Sequence, residues 1–237
     1  MNDEAEHYLD LAEQARYRYE MDLALQHIST AITLAPNNCA YYLWRAEFYW
    51  SDTEEFNLAI EDCTKVIETC SDSDSLIEAL EIRASCNGEL RLYKPVIFDL
   101  ERLRQMKPFS LNTHEWLGFL REEVGQFNEG IKDITEGLKN YPDSRGLFLK
   151  RGSIYMKISN YDAAIKDYMK VIELFESQGD DIEKALAFYR LGQCYVELER
   201  YQDAFDAFTQ VSQSQFKHNW PDLEDQMRLV KGKLDLD

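Results

Sequence analysis

Four histidines, five cysteines and several close carboxylate sets are the side chains from which chemistry could be built in this 237-residue sequence. His7, His27, His114 and His218 stand far apart, without the short helical spacing that a zinc site uses. Carboxylates recur as Asp52 with Glu54 and Glu55, Glu122 with Glu123, and Asp180 with Asp181, and paired carboxylates are the raw material of general acid–base catalysis. All of them fall near expected helix ends or turns, where the helix macrodipole accounts for acids at N-termini without a reaction. Arg151-Gly152-Ser153 lacks the frame of a nucleophile elbow, and no glycine-rich phosphate loop occurs. Cys39, Cys63, Cys70, Cys86 and Cys194 form no C-x-x-C pair. An odd set without such pairs fits reduced thiols used as small packing groups. The expectation is a protein that is not an enzyme and holds neither cofactor nor metal.

Any such side chain would be positioned by helices. Ten Gly and five Pro in the whole chain are about half the usual share, which excludes turn-rich sandwiches and barrels. With 45% apolar and 13% aromatic residues, a core can be buried despite 44 acids against 26 bases and a net charge of −18. That acidity disfavours a phosphate backbone or an anionic lipid surface as partner, and favours basic or neutral proteins. The start, MNDEAEHYLDLAEQARYRYE, has no cationic apolar leader, and no long apolar run follows. The expected location is the cytoplasm.

The chain repeats. Residues 147–171, LFLKRGSIYMKISNYDAAIKDYMKV, and 187–211, AFYRLGQCYVELERYQDAFDAFTQV, share an aromatic, then Gly, then Tyr, then Tyr, Ala and an aromatic at equal offsets. Leu117-Gly118, Gly125, Phe127, Ile134 and Pro142 continue the pattern upstream. This order resembles the tetratricopeptide repeat, a helix–turn–helix unit of about 34 residues. Copies are expected at about 5–38, 39–73, 77–110, 111–144, 145–178 and 185–218. The second carries one extra residue in its turn near Asp52, and 179–184 is inserted before the last. Pro108 and Pro142 close two of the copies, and a helix over about 220–234, with Leu223, Met227, Val230 and Leu234 as its apolar stripe, is expected to cap the array. Asp222, Glu224, Asp225, Asp235 and Asp237 keep that helix from an anionic membrane. The fold class is therefore all-α, with about thirteen helices in one solenoid. Small residues Ala12, Ala46, Ala84, Gly118, Gly152 and Gly192 are expected to face those of the second helices, Ala24, Ala59, Gly130, Ala164 and Ala204, with Val96 the exception.

The resemblance implies a right-handed superhelix whose concave face, lined by the first helix of each pair, receives a peptide or partner helix. Transferring those positions selects Leu9, Glu13, Trp44, Glu47, Trp50, Glu81 and Ser85 in the early copies. In the later copies it selects Glu115, Trp116, Phe119, Lys150, Ser153, Tyr189, Arg190 and Gln193. The groove is thus expected to be acidic and aromatic early, basic late, with Trp44, Trp116 and Phe119 as anchors; the alternative places one or more tryptophans in the core. The partner is a protein or peptide, basic or aromatic-containing. Self-association of the solenoid is the structural alternative, from monomer to weak homo-oligomer. Relatives that clamp a chaperone's C-terminal carboxylate use Lys, Asn and Arg, whereas Leu9, Glu13, Trp44, Glu78 and Ile82 stand at the early positions here. Glu115, Phe119, Lys150, Leu186 and Arg190 stand at the late ones, where only the arginine matches.

Overall fold

The computed structural model describes residues 2–107, 110–175 and 182–234. Pro108, expected to close a repeat, and Gly179, Asp180, Asp181, Asp235 and Asp237 lie outside the described residues. Among those described there are thirteen α-helices, a short 3-10 turn at Lys217–Asn219, and no strand. The helices gather into two compact units, Met1–Pro108 and Phe109–Asp237.

In the first unit α1 (Asn2–Tyr17) pairs with α2 (Met21–Leu34), α3 (Cys39–Ser51) with α4 (Phe56–Thr69), and α5 (Ser73–Glu89) with α6 (Tyr93–Met106). In the second, α7 (Leu111–Glu123) pairs with α8 (Phe127–Asn140), α9 (Arg145–Lys157) with α10 (Tyr161–Glu173), and α11 (Ile182–Glu197) with α12 (Tyr201–Gln213). Helix α13 (Leu223–Leu234) follows, and Leu223, Met227, Val230 and Leu234 pack on Ala204, Phe208 and Val211 of α12.

The two helices of a pair begin differently. Side chains of Asn38, Asp72, Ser110 and Ser144 cap α3, α5, α7 and α9 by accepting from backbone N–H groups at 2.8–3.4 Å. The second helices emerge from a tight turn with a left-handed residue two positions before each start, Tyr19, Glu54, Arg91, Gly125, Ser159 and Glu199, and among them α10 also has a side-chain cap, Asn160 accepting from the Ala163 N–H at 3.4 Å. The next N–H reaches back to a carbonyl near the end of the preceding helix, as from Asn160 to Tyr155 at 2.8 Å and from Gln126 to Arg121 at 2.7 Å. After α3 the turn is one residue longer, and Glu55 reaches Tyr49. Only Gly125 adopts this backbone without steric cost. Ser159→Gly is therefore expected to raise the urea midpoint, with a net gain of about 0.5–1 kcal/mol, and Gly125→Ala to lower it comparably.

The glycines of the first helices lie under large side chains. An added Cβ at Gly118 would meet Ile134 at 2.7 Å, one at Gly152 would meet the Tyr168 ring at 2.8 Å, and one at Gly192 would collide with the Phe208 ring. In each case the partner stands 16 positions on, one turn beyond the small residue expected to fill that role. The nearest partner of each is thus large, because the close approach at Gly is what leaves room for a buried ring or branched chain, while Gly130 also meets Gly118 as expected, its Cβ direction ending 3.7 Å from the Gly118 carbonyl oxygen.

A polar clip recurs beside these contacts. Arg45 donates to both Asp62 oxygens at 2.7 and 2.8 Å and to Ser29 Oγ at 3.1 Å. Arg83 does the same to Asp99 at 2.9 and 2.6 Å and to Thr64 at 2.9 Å. Arg151 repeats it with Asp167 at 2.8 and 2.7 Å and Thr135 at 3.1 Å. Each guanidinium thus ties its own first helix to its pair partner and to the second helix of the preceding pair. The fork geometry satisfies a carboxylate that would otherwise be costly to bury. Burial pushes the Asp167 carboxyl up, against the pull of Arg151.

Candidate functional site

First helices of neighbouring pairs touch directly, α3 with α5 in the first unit and α9 with α7 and α11 in the second. Of the expected partner-binding residues on these helices, Trp50, Glu81, Ser85 and Trp116 are exposed, Tyr189 is buried and the rest are half-buried, and the two units present different chemistry.

On the first unit, Arg16 at the end of α1 reaches across to α3. It donates to Asp52 at 2.7 Å and to Ser51 at 3.2 Å, and lies 3.6 Å from Glu47. Its guanidinium also stands 5.6 Å from the Trp44 ring centre, while Trp44 stacks on buried Phe48 at 5.4 Å and 14°. Trp44 is thus half-buried, held between a cation and a core ring. An open hollow here is lined by Glu13, Arg16, Tyr17, Tyr19, Trp44 and Glu47. Tyr17 and Tyr19 are more than four-fifths exposed, and Trp50 is partly exposed at the end of α3. On α5, burial pushes the Glu78 carboxyl up, and the nearby Glu47 and Glu81 carboxylates push it further. Glu81 pairs with Lys107 at 2.8 Å.

On the second unit Trp116 is 55% exposed and meets Phe119 edge-on at 6.0 Å. Lys150 Nζ stands 4.9 Å from the Phe119 ring centre and 3.2 Å from Glu122 Oε2. Glu122 is the hub of this face: it accepts from Ser153 at 2.9 Å and also pairs with Lys157 at 3.1 Å. Burial alone would raise its pKa, but Lys150, Ser153 and Lys157 outweigh burial and lower it. Glu115 is half-buried, and a Cβ added at Gly146 would come within 2.7 Å of its carboxylate.

Arg190 is half-buried and donates to Gln193 at 2.9 Å. Tyr189 faces the chain's own C-terminal segment, donating to Asp222 at 2.7 Å and stacking on Trp220 at 5.3 Å. Burial and then Asp222 push its hydroxyl up to about 12. Several residues of these networks lie outside the expected set, among them Arg16, Tyr17, Tyr19, Lys107, Glu122, Lys157, Trp220 and Asp222. Glu122 reads as a helix-end acid, although its spacing from Phe119 puts it on the same face, and Asp222 lies 33 positions from the tyrosine it holds, outside any repeat offset.

Among the described residues no cluster of three or more His, Cys, Asp or Glu is placed to hold a metal ion. No described helix is long and apolar enough to cross a membrane.

The tetratricopeptide repeat family profile matches residues 143–214. Tetratricopeptide repeat protein 16 of Macaca fascicularis is 24% identical over 200 residues, which span 84% of this chain and 20% of that protein. The chain therefore spans about a fifth of that relative's length. Hsp70-Hsp90 organizing protein 1 of Arabidopsis thaliana is 25% identical over 63% of this chain and 32% of its own length. Among solved structures, YrrB, a TPR protein with an unusual peptide-binding site, superposes with a TM-score of 0.63 at 18% identity, over 81% of this chain and 93% of that one. At that identity the likeness shows the fold.

Proposed function

Because this chain is a tetratricopeptide-repeat protein, we propose that it is a non-catalytic interaction scaffold whose first-helix faces hold a basic, aromatic-containing segment of a partner protein. The observation that carries this reading is the first unit's face. There Tyr17, Tyr19 and Trp44 line a hollow with Glu13 and Glu47, Glu47 lies near Glu78, which also has Glu81 nearby, and Arg16 and Lys107 are already paired to carboxylates. An incoming Arg or Lys finds the exposed Tyr17 and Tyr19 rings, worth roughly 0.5–2 kcal/mol each as desolvation increases, beside carboxylates that neutralise it, while Trp44, already covered by Arg16 and Phe48, adds only its edge. The net charge of −18 steers such a segment inward and repels nucleic acid. The second unit, taken by itself, offers a separate aromatic pair, Trp116 and Phe119, as an apolar anchor.

A chaperone-tail clamp is disfavoured by the same face. Leu9, Glu13, Trp44 and Glu78 supply no cation for a terminal carboxylate, and Ile82, at the fifth matching position, is buried in the core, despite the similarity to an organizing protein. The five free thiols support a reducing, cytoplasmic setting.

Fluorescence anisotropy with a labelled Arg- and Trp-containing peptide tests the proposal. Glu47→Gln with Glu81→Gln is expected to weaken binding about tenfold and flatten its salt dependence. Trp116→Ala with Phe119→Ala is expected to cost about 2 kcal/mol or more, roughly thirtyfold, with helicity intact. Equal binding of a peptide with every Arg replaced by Glu would sink the reading. Light scattering across concentration separates it from self-assembly, which requires mass to grow with concentration.

A further inference from the structure

Cys39 is the first residue of α3 and Cys70 is the residue that ends α4. Seven positions separate Cys39 from Ala46, and seven separate Cys63 from Cys70. Two turns of helix return a side chain to the same face. Ala46 and Cys63 are buried in one cluster between the two helices, and both Cys39 and Cys70 pack against its edge. Because the helices run antiparallel, that edge brings the start of one beside the end of the other. Both thiol side chains are therefore brought to that one edge, and both are partly exposed. Cys63, Cys86 and Cys194 are buried.

We propose that Cys39 and Cys70 form a dithiol site that small disulfides of the glutathione type oxidise to an intramolecular disulfide, joining the start of α3 to the end of α4. The two sulfurs have different roles. Cys70 sits beside the first residues of α5. Burial opposes its ionisation, but hydrogen bonds with Cys39, the Asp72 backbone and Ser75 outweigh burial and hold its pKa below the usual thiol value. Burial and then Cys70 push Cys39 up to about 11. Cys70 is therefore the attacking thiolate. It displaces one thiolate from the small disulfide and becomes a mixed disulfide with the other half. Cys39, giving its proton to solvent, then attacks the Cys70 sulfur and expels the second thiolate. Two protein thiols lose two electrons and two protons, and one small disulfide becomes two small thiols. The buried cysteines do not compete: burial raises Cys63 strongly, Cys86 to about 11 and Cys194 to about 12.

The full chain, reduced, desalted and exposed to oxidised glutathione, should lose two hydrogens in mass. It should yield, in an unreduced digest, one cross-linked pair of peptides containing Cys39 and Cys70, reversed by dithiothreitol. In Cys39→Ser a stable glutathione adduct should accumulate on Cys70. In Cys70→Ser the reaction at Cys39 should slow about tenfold or more. Iodoacetamide labelling of the unaltered chain needs no variant, and should modify Cys70 about tenfold faster than Cys39 at neutral pH. Separate glutathione adducts on both residues without the cross-link, a cross-link through a buried cysteine, or equal labelling rates would each overturn the proposal.

Discussion

Arg83→Met is expected to lower the unfolding free energy by about 3–5 kcal/mol, read as a fall in urea midpoint by far-UV circular dichroism. The Asp99 side chain is 1% exposed, and both its oxygens accept from Arg83. Removing the guanidinium leaves that carboxylate buried without its cation and strips Thr64 of its donor. Desolvation costs about as much as Coulomb attraction returns, so the pair itself is worth far less than its disruption. Arg83→Met combined with Asp99→Leu should consequently recover most of the loss. A single-variant cost under about 1 kcal/mol would mean that Asp99 finds water or another cation, and would remove the clip as a structural constraint.

Gly152→Leu is expected to be comparably damaging, at about 3 kcal/mol or more, with Gly152→Ala costing about 1–3 kcal/mol. The Cβ alone would stand 2.8 Å from the Tyr168 ring, which is 1% exposed and packed among Ala164, Val171, Phe175 and Leu191. Tyr168→Leu in the Gly152→Ala background should return part of the stability by vacating the contact. Gly88 provides the opposite control, since nothing lies within 4 Å of its Cβ direction. Gly88→Ala within α5 should stabilise by about 0.5–1 kcal/mol. If Gly152→Ala behaves like Gly88→Ala, the close approach of α9 and α10 is not what the glycine serves.

The all-helical fold and its helix–turn–helix rhythm were legible because they depend on local spacing: Gly118, Gly152 and Gly192 recur at one offset, and the aromatics that open the second helices recur at another. Spacing along a helix names the face on which those glycines lie but not the rotation that brings Ile134, Tyr168 or Phe208 above it. The clips were written in the chain, as Arg45, Arg83 and Arg151 directly before a small residue with Asp 16 or 17 positions on. Spacing alone does not reveal them, because only some copies carry them and an Arg on a helix reads as surface charge unless its carboxylate is buried. Trp44 lies between the two expected outcomes, stacked on the core through Phe48 yet bordering the open hollow. Tyr189 was chosen by repeat offset alone. Its covering by Trp220 and Asp222 comes from a segment outside the repeating pattern, so no periodicity could announce it. Cys39 and Cys70 show the converse, since their seven-residue spacings from Ala46 and Cys63 contain the pairing once the two helices are known to be antiparallel.

The clips also act as an error check during folding. A second helix that docked one turn out of place would carry its Asp away from the waiting guanidinium and bury it unanswered, so mis-phased arrangements are rejected at the cost of a stranded charge. Yet Arg45, Arg83 and Arg151 offer nearly the same three-point reception, to an Asp and to a Ser or Thr hydroxyl. A helix presented to the wrong copy in the right phase would pass. The device polices phase and is blind to identity, and the task of telling one repeat from the next falls to the apolar side chains around it.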